Sequence, residues 1–200
     1  MKAKLTFIED VLGTSSSNPD IHSEFIASKA ADSEAKAEEL AALTSEEMIE
    51  KAMTVFPKFE DGTPFLWDYQ VKGFLKEAVG ALLETWPKQV AVGKSKLSKF
   101  THKRLMDNYV FVTPRKIPFD MSGGAMGSCE RPLRAETMRG ERVALACSET
   151  VPEGSTITIE IKCLMPALEE VMLECLDYGA LKGIGQWRNS GKGRFEWEAV

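Results

Sequence analysis

The segment 183–194 combines glycines with basic residues in a pattern that suits an anion. Glycine adopts positive φ and lets backbone N–H groups approach an anion closely, and successive amides in such a turn form an anion-binding nest. Arginine adds a planar fork of donors that matches a phosphate or carboxylate. An aromatic ring at Trp187 or Phe195 could stack on a flat ligand. The candidate binding residues are Lys182, Gly183, Gly185, Trp187, Arg188, Gly191, Lys192, Gly193 and Arg194.

An alternative interpretation of this segment is purely structural. The glycines would then form a tight connection between a helix and an edge strand, with solvated basic side chains and Trp187 in the core. The segment matches neither the Walker A pattern nor the dinucleotide-binding fingerprint, so it does not indicate an NTPase or a dehydrogenase.

A second basic cluster lies at 129–142. Four arginines fall within twelve residues of it: Arg131, Arg134, Arg139 and Arg142. Arginine at these positions favours recognition of phosphates or carboxylates, because its fork binds both oxygens of such a group. Three acids of the same stretch could instead pair with the arginines locally: Glu130, Glu136 and Glu141. Both interpretations remain open from the sequence.

A third candidate is the helical stretch 65–78. Asp68 is expected to cap a helix whose first turn contains Lys72 and Gly73, where a ligand or another backbone could approach. A well-capped core helix with no ligand explains the same pattern.

The residues that catalyse most hydrolytic reactions form no recognisable motif here. His22 and His102 are the two histidines, and each is a weak candidate for a general base. The sequence has no GxSxG or HExxH motif. The four cysteines lie far apart with no CxxC pair, which favours buried, uncharged thiols over a zinc site. We expect no cofactor and no metal.

Charge is distributed unevenly along a chain whose net charge is −5. Residues 1–61 carry six lysines against thirteen acids, whereas residues 88–142 carry twelve basic residues against five acids. The overall charge argues against nonspecific nucleic-acid binding, but the local charge permits a confined site for an anion. No apolar run approaches the roughly 20 residues of a membrane helix, and no signal peptide is recognisable. We therefore expect a cytoplasmic protein.

Hydrophobic periodicity predicts an α+β protein. Strands are predicted at 2–12, 109–113, 142–148, 155–164 and 194–198, and helices at 18–30, 33–53, 68–85 and 166–179. Short strands with an Asp61-Gly62 turn are expected at 54–66, and a long functional or mobile loop at 115–138. The order approximates β-α-β-β-α-β, the ferredoxin-like pattern of an antiparallel sheet with helices on one face. We expect one domain over 1–200, with a helical insertion at about 15–60 and a basic arm or loop at about 88–104.

Three of these segments occur in an order that resembles the RAMP superfamily, the RRM-like, ferredoxin-like proteins of CRISPR systems that include Cas6-type and Cas7-type RNA binders. They are the first strand, the helix entry Asp68–Leu75 with its Lys72-Gly73 pair, and the glycine-rich loop Gly183–Phe195 before the last strand. The chain also resembles small proteins carried by bacterial phages and prophages. The loop contains fewer glycines than is usual in the superfamily, and the acidic stretch at 32–61 is not typical of it.

The resemblance implies binding of single-stranded RNA, with the backbone held by the glycine-rich loop and with Lys72 and the arginine cluster nearby. It also implies a host or CRISPR-type protein complex as a partner. One alternative is a phage counter-defence protein, which would block a host complex or sequester a nucleotide signal. Another is a metal-independent endoribonuclease using His22, since some relatives cut RNA with a histidine placed after the first strand.

Overall fold

A computed structural model of the chain describes residues 1–16, 53–86, 90–137 and 140–200, with the backbone alone at 133–137 and 140–145. The predicted helix at 18–30, nearly all of the one at 33–53, and most of the helical insertion lie outside the described residues. Within the described ranges, no helix is both long enough and apolar enough to cross a membrane.

The central sheet has four strands, each antiparallel to its neighbours. In spatial order these are β13 (Phe195–Ala199), β1 (Lys2–Phe7), β12 (Thr156–Cys163) and β8 (Val110–Thr113). The alternation seen in the sequence places one side of each strand in the core: Ala3, Leu5 and Phe7 of β1 are at most 1% exposed. The ladder from Lys2↔Glu160 to Thr6↔Thr156 fixes the register of β1 on β12.

Two helices cover the inner face of this sheet. α1 (Asp68–Leu82) and α3 (Ala167–Asp177) contact each other and bury their apolar sides in the same cluster as the strands. Val71, Phe74 and Leu75 of α1 recur at helical spacing and are at most 3% exposed. α2 (His102–Tyr109) packs on α1 and leads directly into β8, and the short α4 (Gly179–Lys182) follows α3.

The order β1–α1–β8–β12–α3–β13, with β1 and β12 at the centre, confirms the predicted ferredoxin-like α+β fold. The last strand pairs with the first, from Ala3↔Ala199 to Phe7↔Phe195. This pairing brings the glycine-rich segment that precedes β13 to the end of β1.

A second sheet stands beside the first. Its strands are β2 (Val11–Leu12), β3 (Ser15–Ser16), β4 (Thr54–Val55), β10 (Gly127–Thr137) and β11 (Gly140–Val151). β10 and β11 form a long hairpin in continuous register from Gly127↔Thr150 to Thr137↔Gly140. Two small pairs complete the described strands: β5 (Phe65–Trp67) with β9 (Lys116–Pro118), and β6 (Ala91–Val92) with β7 (Ser95–Lys96).

The predicted long loop at 115–138 is wrong, because most of it forms β9 and β10. Residues 127–137 lack the apolar alternation of an isolated strand, and their extended conformation is supported by pairing with β11. In the described part of the basic stretch at 88–104, from Val90 onward, the chain forms the β6–β7 hairpin and the start of α2. The prediction that the cysteines are buried holds fully for Cys175, whereas Cys129, Cys147 and Cys163 are partly exposed.

The predicted N-cap of α1 lies one residue after the observed N-cap. Trp67, not Asp68, is the N-cap residue, and its N–H donates to Gln70 Oε1 at 2.8 Å. Asp68 is the first helical residue, and its Oδ1 accepts from the Tyr69 N–H at 2.8 Å. The helix begins one residue earlier than the aspartate suggests, with Gln70 in the N3 position, where its side chain accepts from the N–H of the N-cap residue Trp67.

The central strand β12 offers a direct test of the core. Replacing Ile159, which is 1% exposed, with alanine leaves a cavity and should lower the free energy of unfolding by about 2–5 kcal/mol. Thr158 lies beside it on the exposed side of the strand, so Thr158→Ala should cost less than about 1 kcal/mol. Urea denaturation of both variants measures the difference; equal losses would contradict this assignment of faces.

Candidate functional site

The glycine-rich segment is a closed loop whose two limbs hydrogen-bond to each other. Ile184 N–H donates to the Gly193 carbonyl at 2.9 Å, and Gly193 N–H donates to the Asp10 carbonyl at 2.8 Å. A Cβ at Gly193 would lie 1.8 Å from the Ile184 oxygen, and one at Gly183 would lie 2.6 Å from the Gly193 carbonyl carbon. These two glycines are therefore required for the limbs to meet, as the structural interpretation of the sequence predicts.

Between the limbs, the loop keeps a run of free backbone donors. Within the described residues, the N–H groups of Gly185, Gln186, Trp187 and Arg188 donate to no acceptor. Gly185 and Gly191 have positive φ, and so does Trp187 at +55°, a conformation that a bulky side chain rarely adopts. The loop thus retains backbone N–H groups that could donate to an anion, while hydrogen bonds close its base.

Four basic side chains of the loop are paired with acids from other parts of the chain. Lys192 Nζ lies 3.0 Å from Asp10 Oδ2, and Arg194 Nη2 lies 3.4 Å from Glu9 Oε1. Lys182 and Arg188 both contact the carboxylate of Glu77 on α1. The segment has no acids of its own, but the end of β1 and the outer side of α1 supply them.

These contacts shift the ionisation of the paired groups. The hydrogen bond to Asp10 raises the pKa of Lys192, against a smaller opposing effect of burial. Burial alone would raise the pKa of Glu77, but the hydrogen bond and charge of Arg188, together with Lys182, outweigh burial and lower that pKa. Both shifts favour the charged form, so the loop carries its cations already neutralised at pH 7.

Arg131, on β10, is the exception. It is 8% exposed, and its one side-chain hydrogen bond to a described residue runs from Nη2 to the neutral Gln186 Oε1 at 3.0 Å. Its Nε and Nη1 are buried with no partner in the described residues. Its Cζ lies 5.1 Å from the ring centroid of Trp187. A buried guanidinium without a counter-ion is costly, by several kcal/mol in general, so this group is poised to accept an anion.

A cleft of about 540 Å³ lies on the other side of the loop, between the loop, α1 and the strands β3 and β4. Ile184, Gly185 and Arg188 form one wall, and Tyr69, Gly73 and Glu77 of α1 form another. Thr14, Ser15, Ser16 and Thr54 also line the cleft.

The remaining sequence candidates lie elsewhere. Lys72 points away from the cleft: its Nζ donates to the Asp107 carbonyl at 3.1 Å and lies 4.9 Å from the Phe111 ring centroid. Burial lowers the pKa of Lys72, partly offset by the charge of Asp107. Arg134 pairs with Val143 in the hairpin ladder, and its side chain is not described. Arg139 and His22 lie outside the described residues.

His102, the second histidine, is structural. It is 8% exposed, with Nδ1 at 3.0 Å from the Lys99 carbonyl oxygen and the ring packed against Gly80 of α1. Among the described residues, no group of three or more His, Cys, Asp or Glu side chains is placed to hold a metal.

The open face of the central sheet presents no aromatic side chain on its two central strands, unlike RRM domains, whose sheet aromatics stack on bases; Phe111, on the edge strand β8, is 43% exposed and pairs with Lys162. The two central strands present Lys4 and Thr6 of β1 and Thr158 and Glu160 of β12. Ion pairs cross this face, with Lys4 Nζ 3.6 Å from Glu198 Oε1. Among the described residues, the buried Arg131 and the aromatic ring next to it make the loop side the better candidate site.

Comparison with known proteins finds a similar fold among solved structures. No protein-family profile matches the chain, and no curated protein sequence does. Among solved structures, 81 chains match. One, from the cryo-EM structure of the Type III-B Cmr-beta bound to cognate target RNA, superposes with a TM-score of 0.55 at 10% sequence identity. The match covers 99% of this chain but 58% of that one, so the neighbour is considerably longer.

Two glycines with positive φ provide a matched test of the loop closure. Gly193→Ala should lower the free energy of unfolding by more than about 3 kcal/mol, because the new Cβ meets the Ile184 oxygen at 1.8 Å. Gly62 has φ of +83° but open space around it, so Gly62→Ala should cost only the conformational strain of about 1–2 kcal/mol. Chemical denaturation compares them; a Gly193 variant as stable as the Gly62 variant would contradict the closure.

Proposed function

We propose that this chain is a RAMP-like protein that binds single-stranded RNA, with a backbone phosphate held at Arg131 and a base stacked on Trp187. The observation that carries the proposal is the buried guanidinium of Arg131, whose Nε and Nη1 have no partner in the described residues. A phosphate would supply both the missing charge and the missing acceptors, because two of its oxygens match an arginine fork.

The position of Trp187 supports a coupled movement on binding. Arg131 Nε and Nη1 are shielded from solvent and Trp187 lies against the guanidinium, so we infer that the indole shifts when a phosphate reaches these nitrogens. Trp187 is 39% exposed and has an unfavourable backbone conformation, both of which ease such a shift. Stacking of a base on an aromatic side chain contributes about 1–3 kcal/mol and tolerates any base.

The fold adds support of a different kind. The solved structure that this chain resembles contains a protein complex bound to its cognate target RNA. That likeness, together with the RAMP-like segment order, favours RNA as the source of phosphate and a multi-subunit complex as the setting. The ion pairs at Lys182, Arg188, Lys192 and Arg194 suit a protein with weak nonspecific affinity, since these cations attract polyanions less while paired.

The ribonuclease alternative depends on His22, which lies outside the described residues, so it stays a prediction. The other histidine, His102, is enclosed between α1 and the turn that precedes α2. A counter-defence role would use the same anion site, and it predicts that a host complex or a small nucleotide, rather than RNA, occupies it.

Replacing Arg131 tests the proposed phosphate contact. Arg131→Ala should weaken binding of a single-stranded RNA oligonucleotide by at least about tenfold, the loss of a charge-assisted hydrogen bond pair. Fluorescence anisotropy of labelled RNA at low salt measures the affinity. The free energy of unfolding should fall by less than the free energy of RNA binding, because the substitution also removes a buried, unpaired charge.

Arg115 provides a matched control, because its Cζ lies 5.2 Å from the ring centroid of Trp67 in a similar arginine–tryptophan contact. Arg115→Ala should leave the RNA affinity unchanged. Equal affinities of the Arg131 variant and the wild type would overturn the proposed contact, and absence of binding by the wild type at low salt would overturn RNA binding itself.

Glu77 tests whether the paired cations limit affinity. Glu77→Gln should strengthen RNA binding and steepen its salt dependence, because Lys182 and Arg188 then face the strand unneutralised. Each additional phosphate contact raises the slope of log affinity against log salt by about 0.7 for a single strand. Glu198→Gln is the control, since Glu198 pairs with Lys4 on the open face of the central sheet instead. An unchanged slope for Glu77→Gln would show that these cations contact no phosphate.

A further inference from the structure

The basic surface at 94–104, which the site described above does not use, has the composition of a second nucleic-acid contact. It comprises the β6–β7 hairpin, the turn after it and the first turn of α2. Its exposed residues are Lys94, Lys96, Lys99, Phe100, Lys103 and Arg104. No acid occurs between residues 90 and 106 of the sequence. Only Lys99 has an acidic partner among the described residues, and that partner is Glu84.

Phe100 lies at the centre of this surface and is 97% exposed. Its exposure does not come from an unstructured loop, because the flanking residues are fixed. Leu97 is 1% exposed, and its N–H donates to the Val90 carbonyl at 2.8 Å. On the other side, the Ser98 N–H donates to Thr101 Oγ1 at 3.0 Å, and the Thr101 hydroxyl donates to the Lys96 carbonyl at 2.5 Å. The turn therefore holds the ring out in solvent at a defined place.

The carboxylate of Asp107, the acid that follows this surface in the sequence, is already paired. Asp107, at the far end of α2, pairs with Lys72 and Lys76 on α1. Within the part of the chain that the structure describes, the positive charge around Phe100 is thus compensated only at Lys99. An exposed ring surrounded by lysines is the combination with which proteins bind a single strand: the ring stacks on a base, and the ammonium groups contact the phosphates on either side.

We propose that Phe100 and its surrounding lysines form a second contact for the same single-stranded RNA. The inference rests on the proposed function, because it extends the strand from the Arg131–Trp187 site. Both surfaces have an ion pair to α1 or to the residues just after it: Arg188 pairs with Glu77 of α1, and Lys99 pairs with Glu84, which lies two residues after the end of α1.

Three replacements of Phe100 separate stacking from simple hydrophobic contact. Phe100→Ala and Phe100→Leu should each weaken binding of a long RNA oligonucleotide by about tenfold, whereas Phe100→Trp should retain the affinity. Leucine keeps the apolar bulk but has no π face. All three should leave the melting temperature unchanged, because the side chain is 97% exposed. Equal affinity of the Leu and Trp variants would overturn the stacking contact.

The lysines are tested by the salt dependence of binding. Replacing both Lys94 and Lys103 with alanine should reduce the slope of log affinity against log salt by about 1.4, or about 0.7 for each lost phosphate contact. Lys2 and Lys162, which are exposed on the open face of the central sheet, provide a matched double control with no expected change. An unchanged slope for the Lys94 and Lys103 variant would overturn the proposed surface.

A series of RNA lengths distinguishes failure of this inference from failure of the proposed function. Short oligonucleotides should depend on Arg131 alone, and the Phe100 effect should appear only as the strand lengthens. If Arg131→Ala weakens binding while every Phe100 and lysine variant binds all lengths normally, the second contact is wrong and the first stands. If the wild type binds no RNA, both are wrong. Competition by polyglutamate as effective as by RNA of equal charge would show a surface for acidic protein instead, and would overturn the inference.

Discussion

The geometry of the candidate site depends on one backbone closure, the hydrogen bond from Ile184 to the Gly193 carbonyl. It exists because residue 193 has no Cβ, and a second hydrogen bond from Gly193 to the Asp10 carbonyl ties the closed loop to the end of β1. The ferredoxin-like order makes this possible, since the last strand pairs with the first. Every side chain of the loop, including Trp187, is positioned relative to that closure.

Ion pairing then determines which basic side chains remain available to bind an anion. Glu9, Asp10 and Glu77 neutralise the cations that make the loop conspicuous in the sequence. Arg131 comes from a different sheet and has only the neutral Gln186 as a hydrogen-bond partner among the described residues. The group with the greatest unsatisfied capacity for an anion is therefore the buried one, because exposed cations recover much of their lost pairing energy from water.

The sequence predicted the fold well and the site in part. Strict alternation at Ile157, Ile159 and Ile161 and the helical spacing in α1 carried enough information for the ferredoxin-like order, because burial on one side leaves a periodic signal. The hairpin at 127–151 was not recognised as continuous strand, since cross-strand pairing rather than its own pattern stabilises it. The glycine-rich segment and Arg131 were both named as candidates. The ion pairs of the glycine-rich segment and the isolation of Arg131 depend on residues 50 to 185 positions away in the chain. Arg131 and Gln186, for example, are 55 residues apart, and no local pattern encodes such contacts.

The proposed contact between Arg131 and a phosphate can be tested at a single nitrogen, Arg131 Nε. NMR observes the Nε–H of arginine side chains individually, and loss of one signal in Arg131→Lys assigns it. On addition of single-stranded RNA, we predict that the Arg131 Nε–H signal shifts strongly, as a neutral unpaired donor environment is replaced by a phosphate oxygen, while the Arg115 signal stays in place. An Arg131 signal that does not move at saturating RNA would contradict the central claim.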